Sequence, residues 1–126
     1  MKKILFMFSI FLFACEGSTT ITKQIDNNSS ETLSATFIFS SLSSPSSFII
    51  NPNSAALIYI HEEQGSLADE SYSCVGEMDS IVLSFSNNRN LTKDIYLSEN
   101  WMKISKYGRN STKACIFIFT DEDLNL

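Results

Sequence analysis

A chain of 126 residues and 14.1 kDa is one domain's worth of material. With 44% hydrophobic and 18% charged residues, four glycines and two prolines, it is neither collagen-like nor broadly disordered. The formal charge of −5 disfavours a nucleic-acid binder, which must neutralise phosphates with a basic surface.

In chain order, the first feature is the run Met1–Cys15. Lys2 and Lys3 open it, and Ile4 to Phe13 follow without a charge. Ten residues of helix rise about 15 Å, roughly half a hydrocarbon core, which is too short for a permanent span. A positive start, a short apolar core and a small residue, Ala14, form the pattern of a secretory signal. An ordinary signal with a chance cysteine, or a buried helix, is the plainer alternative.

Leu12-Phe13-Ala14-Cys15 resembles the lipobox of bacterial lipoproteins. That resemblance implies removal of residues 1–14, a diacylglyceryl group on the Cys15 thiol and a further acyl chain on its freed amine. Two or more chains meet the requirement for stable anchoring without a transmembrane helix. Glu16 follows Cys15 where aspartate would imply inner-membrane retention, so the resemblance implies outer-membrane delivery. Two of the nine basic residues leave with the signal, and seven then face fourteen acidic ones. Such an acidic body repels anionic lipid, so the lipid, and not a basic patch, is expected to hold it at the membrane.

Residues 15–20 carry no apolar pattern and are expected to form a lipidated tether, with the domain running from 21 to 126. Thr19 to Ile25 read as a strand, Asp26 to Ser30 as turn chemistry, and Leu33 to Phe39 as a second strand alternating apolar and polar. A hairpin is the expected pairing. Ser40 to Ser47 reads as a loop, Phe48 to Ile50 as a short strand, and Asn51 to Ser54 as a turn. Ala55 to His61 is expected to place Ile58 and Ile60 on one face and Leu57, Tyr59 and His61 on the other. Glu62 to Asp79 reads as the longest irregular segment, and Ile81 to Phe85 as the next strand.

Leu91 to Leu97 is expected to be its return strand, and Ser98 to Thr112 is left open between loop and irregular strand. Ala114 to Thr120 is the strongest β run and apolar on both faces, so it belongs in the middle of the fold. About seven strands without a helical stripe after the signal helix predict an all-β domain. An antiparallel β-sandwich, immunoglobulin-like or transthyretin-like, leads, and a small closed barrel is the runner-up.

Cys74 and Cys115 remain as a pair once Cys15 is used by the lipid. Secretion favours a disulfide between them over two buried thiols. No cofactor or metal site is expected, because two distant cysteines and one histidine, His61, lack ligand spacing. His61 also lacks the partners of a catalytic triad, so no catalytic residue is assigned. Tyr96, Trp101 and Tyr107 share a polar stretch and could stack on sugars. One core tryptophan with two rim tyrosines is the commoner arrangement.

The whole mature pattern also resembles small envelope lipoproteins of Bacteroidota, down to the closing Thr120-Asp121-Glu122-Asp123-Leu124. The expectation is a non-catalytic, lipid-anchored envelope module that contacts another protein or a glycan, with no nucleic-acid partner. A small envelope inhibitor or immunity-type protein is the alternative, and a carbohydrate-binding module the third.

Overall fold

A computed structural model describes residues 17–40, 42, 44–64 and 72–125. The chain is all-β. Its strands are β1 (Ser18–Asn28), β2 (Leu33–Phe39), β3 (Ser46–Ile50), β4 (Ser54–Gln64), β5 (Met78–Phe85), β6 (Asn90–Leu91), β7 (Trp101–Lys106), β8 (Asn110–Thr120) and β9 (Leu124–Asn125). A four-stranded sheet in the order β4-β1-β8-β7 faces a three-stranded sheet in the order β3-β2-β5, and β6 pairs with β9 in a short ribbon. Among the described residues no ladder joins the two large sheets, so the fold is a sandwich and not a closed barrel. Of the residues expected to form a tether, Ser18 to Thr20 already belong to β1, and Cys15 and Glu16 lie outside the described residues.

The expected hairpin between the first two strands does not form. β1 pairs with β4 and β8, whereas β2 pairs with β3 and β5. Of the residues read as a turn, Asp26 to Ser30, the first two continue β1 opposite Ala55 and Ser54, and Asn28 pairs with Thr120 of β8. Buried Asn27 then builds the corner between the sheets. Its Nδ2 donates to the Glu31 and Ile50 carbonyls at 2.7 and 3.0 Å, and its Oδ1 accepts from the Ser29 backbone N–H. This crossing sets aside the immunoglobulin pattern, whose first two strands share a sheet, and leaves the transthyretin-like alternative standing.

The sandwich is not wholly antiparallel either. β8 runs parallel to β1 over eleven paired positions, from Ser18–Asn110 to Asn28–Thr120. A parallel pair needs a crossover, and here nearly the whole domain supplies it. β8 is central, as its two apolar faces predict. Cys115, Phe117 and Phe119 point into the core, and Ala114, Ile116 and Ile118 point outward, half-buried.

Inward Leu33, Ala35, Phe37 and Phe39 of β2 close the core from the other sheet. Ring pairs bridge the layers, with Phe85–Phe119 centroids 5.6 Å apart and Phe39–Tyr59 centroids 4.9 Å apart. Each fully buried ring contributes about 1.5–3 kcal/mol of transfer free energy.

In β4, Lys23 pairs with Tyr59 and Gln24 with Leu57, which leaves Ile58 as a bulge. Ile58 and Tyr59 are therefore both buried while Leu57 and Ile60 face outward, against the expected alternation. The return strand expected at Leu91–Leu97 shrinks to Asn90–Leu91. The following residues turn through a 3₁₀ segment, Ser98–Asn100, into β7. Of the expected irregular segment 62–79, Glu62 to Gln64 extend β4 and Met78 begins β5.

Candidate functional site: a lysine–tyrosine cluster beside the disulfide

The inner face of the four-stranded sheet changes character toward the start of β1. Thr19 and Lys23 on β1, with Ser111 and Lys113 on β8, are all buried there. The reason is periodicity. Lys23 has the parity of Ile21 and Ile25, and Lys113 that of Cys115, Phe117 and Phe119.

Loop 72–77 covers this face. Cys74 is bridged to Cys115, with the two Cα atoms 5.7 Å apart, so the expected disulfide is present. The Lys23 ammonium donates to the Cys74 carbonyl oxygen and lies 5.6 and 5.5 Å from the Tyr59 and Tyr72 ring centroids. Lys103 and Lys113 stand 5.8 and 6.0 Å from the same Tyr72 ring, and Lys103 Nζ also donates to the Tyr72 carbonyl. The Tyr59 hydroxyl donates to Glu77 Oε2. Three ammonium groups thus surround one tyrosine, held by its ring quadrupole and by backbone carbonyls.

Burial pulls the Lys23 pKa down to about 8, and the nearby Glu77 carboxylate opposes that shift. Burial raises the Tyr72 phenol above its ordinary value, with the Glu77 charge adding to it. The Tyr72 hydroxyl is buried and makes no hydrogen bond among the described residues. Since Lys23 is wholly buried and its ammonium is already donating, the arrangement fastens a loop to a sheet and offers no open nucleophile.

The residues singled out from sequence fall as follows. Cys15 lies outside the described residues. Trp101 is 5% exposed, its indole N–H donates to the Ile95 carbonyl at 2.8 Å, and its ring centroid is 5.4 Å from that of Phe117. Tyr96 is half exposed, and its hydroxyl accepts from the Ile81 backbone N–H at 3.0 Å. Tyr107 is half exposed beyond the far end of β7, about 20 Å of strand from Trp101. The three rings therefore share no platform, and the stacking trio is not assembled. His61 Nε2 lies 3.2 Å from Glu63 Oε1 at the β4 edge. Among the described residues, no three His, Cys, Asp or Glu side chains gather to hold a metal ion.

Two further features were not read from sequence. At the end opposite the lysines, buried Glu31 accepts from Ser86 Oγ at 2.6 Å and from Asn87 Nδ2 at 2.8 and 2.9 Å, which holds its carboxyl below the usual range. Arg89 lies 3.7 Å from Glu31 and 3.8 Å from Asp121, tying three turns together. On the outer face of the large sheet, register aligns Ile60, Thr22, Ala114 and Ile104 in one row. Leu57, Gln24, Ile116 and Met102 form the next. Ile60 is 64% exposed, and Leu57, Met102 and Ile104 are exposed as well.

No protein-family model matches this chain, and neither does any curated protein or solved structure.

Proposed function

We propose that the protein is a lipid-anchored lipoprotein of the cell envelope whose β-sandwich is a non-catalytic binding or accessory module. One observation carries the reading: the division of the three cysteines. Cys74 and Cys115 form a buried bridge, which persists in oxidising compartments outside the cytosol. The third, Cys15, closes the lipobox-like Leu12-Phe13-Ala14-Cys15 after a charged start and a short apolar run. The two arguments are independent and agree on export.

The outer face of the large sheet supports an accessory role over a self-contained one. Rows of exposed aliphatic side chains across a sheet are the kind of surface that protein contacts cover. The lysine cluster supports the same reading, because its groups are engaged in holding loop 72–77.

Growth with a radiolabelled fatty acid tests the anchor. The wild-type chain takes up label and the Cys15→Ser variant takes up none. Equal labelling of the two, or no label in either, contradicts the reading.

A further inference from the structure

If Cys15 carries the lipid, as the proposed function holds, the fold determines which part of the domain meets the membrane. Two residues separate Cys15 from Ser18, where β1 begins, and each residue spans at most about 3.6 Å. Gly17 is already packed against the β7–β8 turn, since a Cβ there would fall 1.5 Å from the Arg109 carbonyl oxygen. The Ser18 backbone N–H donates to Asn110 Oδ1 at 3.3 Å, which fixes the start of β1 beside the same turn. Gly17 is thus fixed against this turn, and the two steps of chain back to Cys15 reach at most about 7 Å.

That turn has the composition of an interfacial contact. Lys106, Tyr107 and Arg109 are all exposed, with Tyr107 at 50%. Five of the seven basic residues after Cys15 (Lys23, Lys103, Lys106, Arg109 and Lys113) belong to the half of the sheet nearest the attachment point. The opposite end carries Arg89 and Lys93 among Asp26, Glu31, Asp94, Glu99, Asp121, Glu122 and Asp123. Lys23 and Lys113 are buried, and Glu77 sits beside Lys23 in loop 72–77, so the exposed cations of the near end are Lys103, Lys106 and Arg109. Glu62 and Glu63 share that end on β4, about 15 Å across the sheet from β7.

We propose that the β7–β8 turn docks on the surface of the bilayer that holds the acyl chains, with Tyr107 at headgroup depth and Lys106 and Arg109 against lipid phosphates. Interfacial tyrosine and paired cations are what an anionic headgroup region accepts, and each cation near such a surface adds to the attraction. The end that carries Glu31 and Asp121 then points away from the membrane. The anchor and the turn act together, so the overall negative charge of the domain does not prevent contact at the turn itself.

The test uses the mature acylated protein reconstituted in phosphatidylcholine vesicles that are one-third phosphatidylglycerol, with a doxyl-labelled lipid as quencher. Trp101 is the only tryptophan, is buried and sits at the far end of β7, so the wild type reports the distal level. The Tyr107→Trp variant is expected to be quenched about twofold more strongly than the wild type, as an interfacial ring is. Adding Lys106→Glu and Arg109→Glu should return quenching to the wild-type level while the protein still floats with the vesicles. Quenching no stronger than wild type in protein that carries acyl mass and floats overturns the docking and spares the anchor. Strong quenching that survives the charge reversal also overturns it, since tether length alone then explains the proximity. Protein that lacks acyl mass and does not float overturns the anchor and the docking together.

Discussion

Lys23 and Cys115 face each other across the parallel β1–β8 pair. The ammonium that donates to the Cys74 carbonyl and the sulfur bridged to Cys74 therefore reach one loop from adjacent strands. A covalent and a charge-assisted fastening converge on the same residue, and their chemistries respond to different conditions.

The lysine responds to pH. Its folded pKa is about 8, against an ordinary 10.5. Between those values the unfolded chain binds a proton that the folded chain has released, so stability rises with pH across the window. That gain is lost as pH falls through about 8. The raised Tyr72 phenol works oppositely above its unfolded value of about 10, where the unfolded chain loses a proton that the folded chain keeps. The urea midpoint is expected to climb from pH 8 to about 10 and then turn over. Lys23→Met should remove the climb and keep the fall. A wild-type midpoint that is flat from pH 8 to 10 contradicts the burial of a charged Lys23.

The disulfide responds to reductant and to mutation. It closes a loop between residues 41 apart in sequence, for which the chain-entropy model gives up to about 4 kcal/mol. Cys74→Ala with Cys115→Ala is expected to lower unfolding free energy by an amount approaching that figure while the Lys23 and Lys103 contacts still hold the loop. Native protein should resist alkylation at both positions until reduced. Rapid alkylation of both thiols without reductant refutes the bridge.

At the other end of the sandwich, the Glu31 carboxylate is held below its usual range by hydrogen bonds from Ser86 and Asn87. Its contribution to stability is fully present above the unfolded carboxylate value and is lost as pH falls through the lower folded value. Glu31→Gln should leave a shallower acid slope in the urea midpoint than the wild type shows. Identical slopes would falsify this role for the Glu31 network.

Trp101 separates a core ring from a sugar platform. Its burial beside Phe117 and its bond to Ile95 predict weak acrylamide quenching in the free protein. Trp101→Ala should destabilise the domain by about 3–5 kcal/mol through the cavity it leaves. Strong quenching of the folded wild type contradicts the packing.

Much of this architecture is legible in the sequence wherever a strand alternates cleanly. Leu33 to Phe39 and Ala114 to Thr120 show period two, and the apolar character of both faces of the latter predicts its central place. Sheet membership is not legible at Asn27. Asn and Ser residues signal a turn, but whether the chain pairs back or crosses depends on carbonyls at Glu31 and Ile50 that only the fold supplies. The bulge at Ile58 is hidden in the same way, because one extra residue shifts the alternation without changing composition. Lys23 and Lys113 carried a signal in their parity with core neighbours. Lysine's strong preference for solvent obscures it, and the compensating Tyr59, Tyr72 and Glu77 are distant in sequence. Leu91 to Leu97 fails as a strand because Ile95 turns inward to accept the Trp101 indole N–H.

The most direct test of the account is the intact mass of the mature protein extracted from membranes. The account predicts a chain that begins at Cys15, carries a diacylglyceryl group and a further acyl chain, and shows a Cys74–Cys115 pair two hydrogens lighter than its reduced form. The Cys15→Ser variant should keep residues 1–14 and gain no lipid mass. A wild-type chain with an unmodified Cys15, or one that still bears Met1 to Ala14, contradicts it.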